Sequence, residues 1–269
     1  MKLPKVFTVT CLRDFELFVL HCYSIKKFLN ISEFNIVINE TGKNVRKWKK
    51  RYDSRIACIF KDSHVINLIF KDDRLPRRHT GWVTQQIFKL SCLDHNPYIV
   101  LDSGTIFIRP TDVLQIKNFD KINIDTLKHY QNFTSTCYQY FPVNQCRSAN
   151  TPHKINPDVC KKIFEVFGGY EQFIDWFYTQ HQPSEFILHD MAAQYFNMDF
   201  EDIGYDFNYN KLLLDPTSLD EYNLIFQELS QNDSIKIFTM HIGVLLDPAF
   251  AEYRDKLFHI VTSLEENIE

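Results

Sequence analysis

The sequence is poor in glycine and has no glycine-rich loop. Only 7 of its 269 residues are glycine, and neither GxGxxG nor GxxxxGK[ST] occurs in it. These two motifs form the backbone cradles in which Rossmann-type dinucleotide-binding proteins and P-loop proteins hold phosphates. Both classes are therefore excluded.

Cysteine pairs and long apolar runs are also missing. The seven cysteines form no CxxC pair, which argues against a zinc site or a dithiol motif. No stretch of 18 apolar residues is present, and the N-terminus MKLPKVFTVT lacks the apolar centre of a signal peptide. We therefore expect a soluble cytoplasmic protein with reduced thiols and no transmembrane segment.

No excess of positive charge marks the chain. The net charge is −4 and the pI is near 6.2, so nothing points to nucleic acid or to an anionic membrane surface as a partner. Hydrophobic residues make up 45% of the chain and aromatic residues 15%, enough for a large globular core.

Strand and helix patterns alternate along the first half, which is typical of a parallel sheet. The patterns predict strands at 5–12, 34–39, 55–60, 63–70, 98–101, 105–108, 133–141 and 235–240. They predict helices at 15–29, 45–52, 80–93, 157–167 and 170–179, and from Ser184 onward. With no repeat or linker, we predict one α/β domain over residues 1–269, with a mainly parallel central sheet flanked by helices and a more helical C-terminal half.

A carboxylate follows a buried strand near the middle of this pattern. The run 98–101, YIVL, is short and apolar, and Asp102 comes directly after it. In open α/β sheets, ligands bind outside the carboxyl ends of the strands. The turn Asp102-Ser103-Gly104 is therefore a candidate binding loop, although Asp-Ser-Gly is also ordinary turn chemistry.

The helix before this strand has an apolar and a polar face. Its apolar stripe consists of Val83, Ile87, Leu90 and Leu93, and Thr80 is a candidate N-cap. Its polar side chains are Gln85, Gln86 and Lys89.

Four segments carry a family resemblance: GWVTQQIFKL, YIVLDSGTIFIRP, PSEFILHDMAAQY and FTMHIG, in this order. Together they resemble a bacterial family of glycosyltransferases with the nucleotide-diphospho-sugar transferase (GT-A) fold, over most of the chain. The resemblance implies a nucleotide-sugar donor, a saccharide or similar acceptor, and a role in surface polysaccharide or glycan synthesis. It also implies a nucleotide-sugar-binding half at 1–110 and an acceptor-side half at 111–269.

In such enzymes an Asp-x-Asp motif binds Mn²⁺ or Mg²⁺ and, through the metal, the donor diphosphate. Asp102 matches the first Asp, whereas Gly104 stands in place of the second. The resemblance suggests His241 as a further metal ligand. Because the second Asp is missing, metal dependence is an open question, and fixed cations are the alternative for neutralising the diphosphate.

The remaining candidates follow from the same resemblance and from side-chain chemistry. Thr10 and Arg13, after the first strand, would lie near the nucleotide. Arg77, Arg78 and Lys89 could bind phosphate, although the arginine pair also fits a solvated loop. Gln85 and Gln86 could bind sugar hydroxyls, or form an exposed helix face. Trp82 could stack on a sugar or a base.

Glu185 is the candidate base for the acceptor hydroxyl, with Asp190 as its substitute. A carboxylate directly after Ser184 is equally expected in the first turn of a helix, where the helix dipole stabilises it.

Two other functions stay open. The segment Leu101-Asp102-Ser103-Gly104-Thr105 faintly resembles the Asp-x-Asp-x-Thr loop of haloacid-dehalogenase-type phosphatases, but their loop follows the first strand and carries a second Asp. Alternatively, the chain is a catalytically inactive GT-A-like module that binds a nucleotide or a glycan, or a partner subunit of an active transferase.

Overall fold

The structure is a computed structural model. It describes residues 4–31, 33–60, 65–70, 81–91, 94–116, 121–147, 151–198, 212–213, 224, 227–228, 231–232, 236–240, 255 and 258–259.

Strands and helices alternate in the described part of the chain. The strands are β1 (Lys5–Thr10), β2 (Leu29–Asn30), β3 (Glu33–Ile38), β4 (Val65–Phe70), β5 (Tyr98–Asp102), β6 (Thr105–Phe107), β7 (Thr111–Asp112), β8 (Lys121–Asn123), β9 (Gln145–Arg147), β10 (His153–Ile155), β11 (Leu212–Leu213) and β12 (Ile237–Met240). The α-helices are α1 (Phe15–Phe28), α2 (Lys43–Arg55), α3 (Trp82–Leu90), α4 (Gln131–Tyr138), α5 (Pro157–Val166), α6 (Tyr170–Thr179) and α7 (Glu185–Tyr195).

The central sheet has the strand order β10-β5-β1-β3-β4. Strands β1, β3, β4 and β5 are parallel, and β10 joins antiparallel to β5. A small second sheet pairs β12 with β6, so strands from both halves of the chain share both sheets. The predicted α/β class, with a mainly parallel sheet flanked by helices and a more helical second half, is confirmed.

Strands β1, β3 and β5 are buried on both faces, which explains their nearly continuous apolar sequences, whereas β4 at the edge of the sheet is partly exposed. In β5, Ile99 and Leu101 pack in the cluster that contains helices α1 and α2, whereas Tyr98 and Val100 pack in the cluster that contains α3 and α5 to α7. Side chains alternate between the two faces of a strand. Asp102 therefore lies on the same face as Val100, the face covered by α3 and α7.

Two of the predicted strands are wrong. Residues 133–141 were expected to be extended because they are rich in Thr, Tyr and Phe, but most of them belong to α4. Their buried side chains Phe133, Cys137 and Phe141 recur every four residues, and this helical packing outweighs the local strand preference. Residues 55–60 are the end of α2 followed by turns.

The predicted start of α7 is confirmed, and the start of α3 is shifted. Ser184 caps α7, with its hydroxyl accepting from the backbone N–H of Ile187 at 3.4 Å. Helix α3 begins after Gly81, whose φ of 116° is a conformation that favours glycine. The expected cap Thr80 lies outside the described residues.

A buried histidine connects α1 to both sheets. His21 has no exposed surface. Its Nδ1 lies 2.5 Å from the carbonyl oxygen of Thr105, and its Nε2 lies 2.9 Å from the hydroxyl of Thr8. A carbonyl can only accept, so Nδ1 donates to it and Nε2 accepts from Thr8. Burial lowers the pKa of His21 to about 4, against smaller opposing effects of Thr105 and Asp102.

We predict that His21 makes the fold sensitive to acid. Between its unfolded pKa of 6.5 and about 4, the unfolded chain binds a proton that the folded chain does not. Stability should therefore fall as the pH falls through this range, by about 3 kcal/mol at most from this group. Urea unfolding followed by tryptophan fluorescence at pH 7, 6 and 5 measures this dependence.

The variant His21→Gln should be less stable at pH 7, because it cannot keep both hydrogen bonds, but should lose less stability between pH 7 and pH 5. His129→Gln, at an exposed histidine, is the control. An unchanged pH dependence in His21→Gln would contradict this account.

Candidate active site

A charged cluster of three residues lies where β5 ends. The Lys89 ammonium is 2.5 Å from Asp102 Oδ1 and 2.7 Å from Glu185 Oε1. Lys89 and Glu185 are 3% and 1% exposed, whereas the Asp102 side chain is 39% exposed. Lys89 comes from the last turn of α3 and Glu185 from the first turn of α7. Asp102 is thus the accessible member, at the sheet edge where the sequence placed it.

The two carboxylates keep the Lys89 ammonium in its charged form. Burial alone would lower the pKa of Lys89, but the two carboxylates outweigh it and raise that pKa above its ordinary value. Burial raises the pKa of Glu185, and the Asp102 charge adds to this, while Lys89 acts in the opposite direction. The ammonium therefore stays charged and holds two carboxylates that would otherwise repel each other.

A hydrogen-bond chain along α3 continues the cluster. In the amide orientation that satisfies both neighbours, Gln86 donates to the Glu185 carboxylate and accepts from the indole N–H of Trp82 at 2.7 Å. Trp82, Gln86 and Lys89 stand at i, i+4 and i+7, which places them on one face of the helix. Gln86 is buried, whereas Trp82 is 49% exposed.

Hydrogen bonds to Thr151 and His21 fix the turn that carries Asp102. The backbone N–H of Asp102 donates to the hydroxyl of Thr151 at 3.3 Å, and this hydroxyl lies 2.7 Å from that of Thr105. His21 binds the carbonyl of Thr105. Ser103 and Gly104 form the buried turn between β5 and β6.

Tyr130 is a site residue that the sequence did not reveal. Burial raises its pKa, the negative charges of Glu185 and Asp102 raise it further, and Lys89 partly offsets them. The phenol therefore lies within electrostatic range of all three cluster members. No motif or spacing marks this tyrosine, one of 13 in the chain.

The residues after β1 lie at the same edge of the sheet. Val9 pairs with Asp102, so Thr10 follows at the edge. The Thr10 hydroxyl is buried and has no hydrogen-bond partner among the described residues. Arg13 is exposed in the loop before α1, and Gln85 donates to Asp14 at 3.3 Å. Arg77, Arg78 and His241 lie outside the described residues, and their roles stay predictions.

Asp190 belongs to a different cluster. Its Oδ1 pairs with the Arg147 guanidinium, and its Oδ2 accepts from the backbone N–H of Arg147 at 2.8 Å and from Gln194 Nε2 at 2.9 Å. Both charged side chains are at most 2% exposed. The Arg147–Asp190 ion pair joins β9 to α7. It does not include Lys89, Asp102 or Glu185.

The described residues do not fit a divalent metal site. Mn²⁺ and Mg²⁺ need several oxygen ligands, but Asp102 shares an oxygen with an ammonium and Gly104 has no side chain to add. No group of three or more potential ligands occurs among the described residues.

Comparisons with known proteins give matches at the level of structure alone. No protein-family model matches the sequence, and no curated protein matches it significantly. The glycosyltransferase GlyE of Streptococcus pneumoniae TIGR4 aligns with a TM-score of 0.47 and 10% identity over 97% of this chain and 61% of that one. The bifunctional glycosyltransferase WbbM gives 0.48 and 11% over 97% and 50%. The PaToxG glycosyltransferase gives 0.39 and 12% over 99% and 89%.

All three are glycosyltransferases, the class that the sequence resembles. The chain spans about three-fifths of GlyE and half of WbbM. With TM-scores below 0.5, these likenesses say nothing about the substrates or the site residues of this chain. Among the described helices, none is long and apolar enough to cross a membrane.

We predict that Asp190 stabilises the folded protein. Replacing it with alanine should remove the buried carboxylate that pairs with the Arg147 guanidinium, at a cost of about 3 to 5 kcal/mol in the free energy of unfolding. Urea unfolding measures the loss. The double variant Arg147→Met/Asp190→Leu, which removes both charges, should recover most of it. If Asp190→Ala is as stable as the native chain but inactive in glycosyl transfer, the carboxylate has a catalytic role instead.

Proposed function

We propose that this protein is a glycosyltransferase that moves a sugar from a nucleotide-diphospho-sugar donor to a saccharide or similar acceptor. The observation that carries the proposal is the cluster Lys89, Asp102 and Glu185 at the carboxyl end of a central parallel strand. Open α/β folds bind and convert their ligands at this edge of the sheet, and the cluster is a fixed charged group there. The sequence resemblance supplies the substrate class.

Asp102 is the residue we assign to ligand contact. In the transfer, the acceptor hydroxyl oxygen bonds to the anomeric carbon, the bond from that carbon to the diphosphate breaks, and its electron pair leaves with the diphosphate. The hydroxyl proton passes to a base. Asp102 is the carboxylate of the cluster with exposed surface, so it can accept hydrogen bonds from sugar hydroxyls or take this proton.

Lys89 and Glu185 position Asp102 and set the charge around it. Two carboxylates would give the cluster a charge of −2 and repel a diphosphate, and the ammonium reduces this to −1. The ammonium is held by two ion pairs, so it keeps Asp102 in place without rearrangement during the transfer. Glu185, predicted as the base, is only 1% exposed and forms an ion pair with Lys89. We therefore assign Glu185 to positioning Lys89.

The other proposed contacts surround this cluster. Thr10, with its buried hydroxyl, and Arg13 would bind the nucleotide beside β1. The exposed ring of Trp82 would stack on a base or a sugar. Arg77 and Arg78 would bind the diphosphate. A role in surface polysaccharide or glycan synthesis fits this chemistry.

An inactive binding module is the second candidate, favoured by the missing carboxylate at Gly104 and by the ion pair that engages Asp102. Calorimetry with UDP- and GDP-sugars, with and without Mn²⁺, followed by a donor-hydrolysis assay, separates the two. Binding with turnover supports the transferase. Binding without turnover, with any acceptor offered, supports the module.

We predict that Asp102→Asn lowers kcat/KM for transfer by about 100-fold or more, while the unfolding midpoint changes little because the side chain is partly exposed. Glu185→Gln should lower activity less and stability more, because Lys89 loses the buried one of its two carboxylate partners. Steady-state kinetics and urea unfolding of both variants measure this contrast. Full activity in Asp102→Asn would refute the site.

We also predict that the loop can be given metal affinity. Gly104→Asp adds the carboxylate missing from the Asp-x-Asp pattern, and Mn²⁺ binding measured by calorimetry should tighten by about tenfold or more. Gly104→Ala, which adds bulk without charge, is the matched control. Equal Mn²⁺ affinities in the two variants would argue that residues 102 and 104 do not point to a common place.

A further inference from the structure

An open cavity lies on the acceptor-side half, apart from the cluster at Asp102. It has a volume of about 490 Å³ and is formed by the end of β8, the short helical turn Ile124–Thr126, helix α4 and the residue before β9. Its described lining consists of Asn123, Ile124, Asp125, Ser135, Tyr138 and Asn144.

The frame of this cavity is fixed by hydrogen bonds. The backbone N–H of Ile124 donates to the carbonyl of Asn144 at 3.1 Å, and the Asn123 side chain accepts from the N–H of Asp125 at 2.9 Å. Strands β8 and β9 pair directly below, with Asn123 opposite Gln145. A frame held in this way loses little conformational freedom when a ligand binds.

The side chains that face the cavity keep their polar groups available. Asp125, Ser135, Tyr138 and Asn144 make no side-chain hydrogen bond to any described residue. They offer a carboxylate, two hydroxyls and an amide, hence both donors and acceptors. Tyr138 is 43% exposed, so its ring is accessible to a ligand.

This combination fits a sugar better than other ligands. A pyranose ring has an apolar C–H face, which packs on an aromatic ring, and a rim of hydroxyls, which bond to amides and carboxylates. No lysine or arginine is among the described lining residues, which disfavours a phosphate. Ile124 is the aliphatic residue among them, which disfavours a lipid or an apolar peptide.

The cavity is connected to the cluster through one short segment. Tyr130, within range of Asp102 and Glu185, directly precedes α4, and Tyr138 ends that helix. Eight helical residues span about 12 Å. A saccharide bound at Tyr138 could therefore extend toward the cluster.

We propose that this cavity binds a neutral unit of a saccharide acceptor, away from the hydroxyl that reacts. Its role as an acceptor subsite rests on the proposed transferase function, but the binding itself does not. Tyr138 supplies the stacking surface, and Asp125, Ser135 and Asn144 supply the hydrogen bonds.

The test is binding of a panel of neutral oligosaccharides to the full chain, measured by saturation-transfer NMR and calorimetry without any donor. At least one oligosaccharide should bind, and Tyr138→Ala should weaken that binding by about fivefold or more. Tyr138→Phe should retain most of it. Tyr195→Ala removes a tyrosine that is 46% exposed and does not line the cavity, so it should leave binding unchanged.

Three results would overturn the proposal: no oligosaccharide binds, Tyr138→Ala and Tyr195→Ala have the same effect, or sulfated oligosaccharides and inorganic phosphate compete for the cavity. The proposed function can fail separately. If Tyr138-dependent binding occurs but no donor turns over, the cavity stands and the chain is a glycan-binding module. Tyr138→Ala should not alter donor binding.

Discussion

The buried ammonium of Lys89 determines the arrangement of the candidate site. It touches one carboxylate on β5 and another on α7, and it is carried by α3, so three separate elements meet at a single charge. Removing Lys89 would leave two neighbouring carboxylates without the cation between them, and removing Glu185 would leave the buried ammonium with only the partly exposed Asp102 carboxylate. The cluster therefore stabilises the packing of β5, α3 and α7 and also forms the catalytic centre that we propose.

The sheet supplies the rest of the geometry. Parallel pairing of β1 with β5 brings Val9 opposite Asp102, so that the loop after β1 and the turn after β5 share an edge. The helices on one face bring Lys89, Gln86 and Glu185 toward that edge, and His21 on the other face fixes the turn through Thr105. Elements on both faces of the sheet thus contribute to the position of Asp102.

Local patterns in the sequence were enough to predict the parallel sheet, the place of Asp102 and the cap at Ser184, because each depends on a few adjacent residues. They placed Gln86 and Lys89 on a polar face of α3, whereas the structure buries both side chains against α7. They could not predict that Lys89 and Glu185 form an ion pair across 96 positions, because long-range packing decides it. The helix α4 was missed because strand-forming residues occupy it while their spacing is helical.

The alternation of side chains in β5 limits how this site can vary. Asp102 faces Lys89 because it stands an even number of residues after Tyr98 and Val100, which anchor the strand in the core below α3 and α7. Insertion or deletion of one residue within the strand would turn the carboxylate toward α1 and leave the ammonium facing an apolar side chain. The length of this strand is therefore constrained, and it can diverge by substitution alone.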